Sequence, residues 1–104
     1  MKVYSDIKHQ VREILTLVQT IAPGKSVELR IPHYSAIQCV LGSVHRRGTP
    51  PNVVEMSPQA LIDLAQDPNL WEELCLKGEI TASGTNANLK DIFIAIDKIK
   101  QGIK

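Results

Sequence analysis

Three residues of metal-binding type are evenly spaced along the middle of the chain: His33, Cys39 and His45. Structural zinc sites use ligand pairs roughly two to five residues apart, and this spacing matches no such pattern. Cys39 alternates with Ile37 and Leu41, which reads as a small buried hydrophobe rather than a nucleophile. No G-x-S-x-G, P-loop or G-x-G-x-x-G run is present. The residues therefore predict no catalytic constellation, no metal site and no cofactor. Cys39 and Cys75 are the only cysteines, and two free thiols in a reducing compartment are expected rather than a disulfide.

The most distinctive run is His45-Arg46-Arg47-Gly48-Thr49-Pro50-Pro51-Asn52-Val53-Val54-Glu55. In its basic turn, Arg46, Arg47 and Thr49 have the chemistry to grip a phosphate or carboxylate head group. The plainer reading is a solvated loop whose prolines fix the approach to the next strand, with Glu55 pairing with one arginine. At the far end, Lys98, Lys100 and Lys104 suit the negative pole of a helix better than a membrane surface.

The elements that position these residues follow from periodicity. Ile7, Val11, Ile14, Val18 and Ile21 form one apolar stripe, which predicts a helix over residues 3–21, stopped by Pro23-Gly24. Residues 26–31 alternate, with Val27, Leu29 and Ile31 on one face. His33-Tyr34-Ser35 makes a turn, and residues 36–41 form a second strand with Ile37, Cys39 and Leu41 together. Residues 52–56 form a third, with Val54 and Met56 on one face. Ser57-Pro58 and Asp67-Pro68 are helix starts. Leu61, Leu64 and Ala65 are the buried stripe of the first of these helices. Leu70, Trp71, Leu74 and Cys75 belong to the second, which Gly78 closes. Residues 79–83 form a strand with Ile80 and Ala82 on one face. Asn88 caps a final helix carrying Leu89, Ile92, Phe93, Ile96 and Ile99, with Asp91 in an imperfect capping box.

Each strand has one apolar and one more polar face, the latter bearing Glu28, Arg30, Gln38, Glu55 and Thr81, with Val40 and Val53 as exceptions. Each helix has a single stripe. A sheet patterned this way buries one face, so the helices pack on that one face and the fold is a two-layer α/β (α+β) sandwich. The chain of 104 residues makes one domain, 1–104. With 43% apolar residues, 22% charged residues and a formal net charge of +1, it has ordinary globular composition. That charge excludes a dedicated nucleic-acid binder, which needs a concentrated basic face. No run approaches the roughly 18 apolar residues of a membrane span. Residues 1–10 are too polar for a signal peptide, so stable membrane insertion is not expected and a cytoplasmic location is.

The order from Asn52 onward resembles the sterol carrier protein type 2-like domain. It runs as the strand Asn52-Val53-Val54-Glu55-Met56, the helix from Ser57-Pro58 to Ala65, then Leu74-Cys75-Leu76-Lys77-Gly78-Glu79-Ile80-Thr81-Ala82-Ser83-Gly84 and an amphipathic helix. The run from Arg47 to Glu55 is similar to the short, single-domain bacterial sterol carrier family proteins. The resemblance implies a mixed sheet of four to five strands, the fifth within residues 42–51. It also implies an apolar ligand held between sheet and helices. Met56, Leu61, Leu64, Trp71, Leu74, Phe93 and Ile96 are then the candidate wall of that site; otherwise they simply fill the core.

Two functions are consistent with these residues. One is non-enzymatic binding or carriage of a lipid or other apolar small molecule. The other is a protein-interaction or accessory module with a closed core, working on a partner protein through its polar sheet face or the Arg47–Asn52 turn.

Overall fold

The computed structural model describes residues 3–42 and 51–102, with side chains described from residue 6 onward. Helix α1 spans Val3–Ile21. Its stripe buries Val11, Ile14 and Val18, and Leu15 joins them. Strands β1 (Val27–Ile31), β2 (Ser35–Cys39), β3 (Asn52–Met56) and β4 (Ile80–Ser83) form one sheet in the order β2-β1-β3-β4. β1 pairs antiparallel with β2 and parallel with β3, and β3 pairs antiparallel with β4, so the sheet is mixed. The expected fifth strand falls mostly on residues 43–50, outside the described residues.

Between β3 and β4 lie helix α2 (Pro58–Gln66), a 3-10 turn (Pro68–Leu70) and helix α3 (Trp71–Leu76). Helix α4 spans Lys90–Lys100. Two side-chain caps set the starts of α2 and the 3-10 turn. Ser57 Oγ accepts from the Ala60 N–H at 3.0 Å, and Asp67 Oδ1 from the Asn69 N–H at 3.1 Å. Both satisfy amides that the turn itself leaves unpaired. Asn88 Oδ1 accepts from the Lys90 N–H at 2.9 Å and does the same for α4.

The helices cover one face of the sheet. In β1, Val27, Leu29 and Ile31 are fully buried while Arg30 is exposed, and β3 repeats this with Val54 and Met56 against Glu55. On the open face Arg30 pairs with Glu28 at 3.1 Å. This is the two-layer α+β sandwich expected from the strand alternation.

Three details depart from the periodic reading. β2 stops at Cys39, and Leu41 is 77% exposed rather than sharing its face. The cause is Val40, whose φ of 67° turns the chain off the sheet. Its N–H donates to the Ala22 carbonyl at 2.7 Å, and its carbonyl accepts from Ser26 N at 3.0 Å and Ser26 Oγ at 2.9 Å. Those bonds replace a further rung of the ladder. Ile99 is 53% exposed, because it lies in the last turn of α4. Ala82 shares a face with Ile80 but is exposed, and β4 is an edge strand among the described residues.

Candidate functional site

The apolar residues singled out from the sequence come together. Met56 ends β3, Leu61 and Leu64 come from α2, Trp71 and Leu74 from α3, Phe93 and Ile96 from α4. All belong to one buried cluster between the layers, none more than 8% exposed. Arg46, Arg47 and Thr49 lie outside the described residues, as do His45 and Lys104. Glu55 is exposed on the open face of the sheet.

At one end of the sheet a hollow of about 570 Å³ opens between the C-terminal end of α1 and the start of α4. Ile21, Val40, Leu41, Leu89 and Ile92 supply its apolar wall. Thr85, Asn86 and Asn88 supply neutral polar groups, and among the described residues no charged side chain lines it. The volume falls in the range of about 300–1,000 Å³ typical of small-molecule sites. Leu89 connects it to the interior: this side chain lines the hollow yet is 1% exposed and part of the core cluster. Phe93 follows one helical turn later, its N–H donating to the Leu89 carbonyl at 3.3 Å.

A buried polar tie holds this end of the sheet. Ser26 and Asn52 are the buried polar residues among those described. Asn52 occupies an inward position of β3, opposite Val27 of β1. Its Nδ2 donates to the Ser26 carbonyl at 2.8 Å, and its Oδ1 accepts from the Asn86 N–H at 3.0 Å. One amide thus joins the residue before β1, the start of β3 and the segment after β4, with both of its polar atoms bonded, as a buried amide requires. Gly84 (φ +111°) lies so close that an added Cβ would collide with the Asn52 side-chain oxygen. Gly24 has the same relation to the Val40 carbonyl. The sequence reading missed this tie. A polar Asn at an inward strand position is its only local signal, and its partners lie 26 and 34 residues away.

Cys39 is fully buried, and burial pushes its thiol up to about 11. That holds it protonated and suits a packing role. Cys75 is half-buried, its thiol raised by burial first and by the Glu72 carboxylate second. Both are free thiols. Among the described residues no group of three His, Cys, Asp or Glu side chains is placed to hold a metal. No helix among them is long and apolar enough to cross a membrane.

The family profile described as bacterial SCP ortholog matches residues 4–94. The chain belongs to that family. The match runs from α1 into α4, so it takes in the whole sheet and the hollow at its end. Comparison with curated proteins gave no match.

Proposed function

We propose that this sterol carrier-like domain binds a lipid or other apolar small molecule without catalysing a reaction, in a cytoplasmic setting. The observation that carries the reading is the hollow at the sheet end, whose described lining is largely apolar and which meets the core at Leu89. Family membership supports it. In this reading the ligand lies against Ile21, Leu41, Leu89 and Ile92. A longer apolar chain reaches inward past Leu89 toward Phe93 and Ile96. There the wall formed by Met56, Leu61, Leu64, Trp71 and Leu74 parts to accept it. Each 100 Å² of ligand apolar surface removed from water contributes about 2.5 kcal/mol before the costs of association. Thr85, Asn86 and Asn88 at the mouth offer hydrogen bonds without a charge, which suits a neutral or weakly polar head.

A second reading is favoured by the full burial of those interlayer side chains. A closed core would make the domain an accessory module acting on a protein partner through its surface.

Native mass spectrometry of freshly purified protein, followed by solvent extraction, separates the two. Binding predicts a defined apolar species at fixed stoichiometry, or saturable uptake of a fluorescent fatty acid or sterol. A clean apo mass with no uptake would leave only the accessory module.

A further inference from the structure

A second hollow, of about 250 Å³, lies between α1 and the beginning of β2 and shares no lining residue with the first. We propose that it binds a small organic carboxylate with an apolar body, held by Lys8 and Arg12 over a floor of Val11, Leu15 and Ile37.

The hollow follows from the register of the sheet. Ile37 lies opposite Leu29 and Cys39 opposite Val27, both fully buried β1 residues, so Ile37 and Cys39 point under α1. Ser35, opposite the buried Ile31, occupies the next position on that face, where it is exposed at the mouth of the recess. A serine there is too small to fill the space that an isoleucine or leucine would take. Among the described residues β2 is also an edge strand, with β1 as its one neighbour in the sheet. What remains is a recess with a hydroxyl at one end and apolar side chains beneath: Val11 and Leu15 are nearly fully buried.

The charge at its rim is one-sided. Lys8 and Arg12 stand four residues apart on α1 and both line the recess, which contains no acidic residue among those described. Among the described residues neither lies within ion-pair distance of a carboxylate. Like charges at this helical spacing repel, and a bound anion relieves that repulsion. A guanidinium, an ammonium and the Ser35 hydroxyl are all donors suited to a carboxylate. The volume lies below the range of about 300–1,000 Å³ for drug-sized ligands, which selects an acid smaller than a lipid.

Titration of the ¹⁵N-labelled chain with sodium phenylacetate, followed by amide chemical shifts, tests this. Saturable shifts are expected at Val11, Leu15, Ser35 and Ile37. The uncharged isostere phenylacetamide and the K8Q/R12Q variant should each bind roughly tenfold more weakly or worse, because a charge-assisted contact is lost. Acetate, which has the charge without the body, should also be weaker. S35L should abolish binding by filling the recess. K8Q/R12Q changes only exposed side chains, so it keeps the test decisive if S35L misfolds. The proposal is overturned by equal binding of phenylacetamide or acetate, by unchanged binding to K8Q/R12Q, by shifts confined to Ile21, Leu41 and Leu89, or by no saturable shift at millimolar ligand.

Discussion

The two hollows lie at opposite ends of the seam between α1 and β2, and their chemistry differs. The one at the start of the seam is small, carries Lys8 and Arg12, and rests on a closed floor. The one at its end is larger, has no charged lining among the described residues, and touches the core through Leu89. They also arise differently. The first opens beside Ser35, a small and exposed residue that follows Ile37 and Cys39 on one face of β2. The second exists because the chain leaves the sheet at Val40 and is tied back by hydrogen bonds to Ser26 and Ala22. A gap left by a small residue can be filled by one substitution. A gap framed by buried polar bonds depends on all of them.

That contrast ranks the expected effects of mutation. The largest belongs to Gly84→Ala, which places a Cβ against Asn52 at a φ of +111°. We expect a loss of about 3 kcal/mol, hence a fall in thermal midpoint of roughly 10–20 °C. Asn52→Ala comes next. It leaves the Ser26 carbonyl and the Asn86 amide without this partner, at a cost of about 2 kcal/mol by denaturant titration. It should weaken apolar uptake at the sheet end while phenylacetate binding stays near the wild-type level. A reversed outcome would break the assignment of ligands to the two hollows.

Smaller effects sharpen the comparison. Ser35→Leu should leave stability unchanged or raise it by up to about 1 kcal/mol, since it adds buried apolar surface to an existing gap. A large destabilisation would show that the gap does not accept a leucine, and the K8Q/R12Q variant then carries the test of binding. The smallest effect concerns pH. Burial raises the Cys39 thiol from its ordinary 9.0 to about 11, so the folded state keeps a proton that the unfolded chain releases above pH 9. Stability contributed by the neutral thiol is therefore fully present below pH 9 and declines as pH rises toward 11. Denaturant melts of the wild type and Cys39→Ala across that window should converge as pH increases.

Much of the fold was legible because it depends on local pattern. The stripe from Ile7 to Ile21 marks α1, alternation marks β1 and β3, and Ser57-Pro58 places the start of α2 where its cap is found. What was not legible depends on partners distant in sequence. Val40 continues the alternation of β2, and only its bonds to Ser26 and Ala22 show why the strand ends before it. Asn52 looks like the last residue of a turn until Ser26 and Asn86 are seen on either side of its amide. The residues proposed as a wall, from Met56 to Ile96, share one buried apolar cluster and none of them lines the sheet-end hollow, which could not be read from hydrophobicity alone. It needs the C-terminal end of α1, the Val40 turn and the start of α4 in one place.

The central proposal is that an apolar ligand occupies the sheet-end hollow, and photolabelling tests it most directly. A fatty alcohol carrying a diazirine near the chain end would be bound, illuminated and mapped by peptide mass spectrometry. The account predicts saturable adducts on the peptides carrying Ile21, Leu41, Leu89 and Ile92, and their loss in Ile92→Trp, which fills the hollow. Adducts scattered over the surface, or labelling undiminished in that variant, would contradict it.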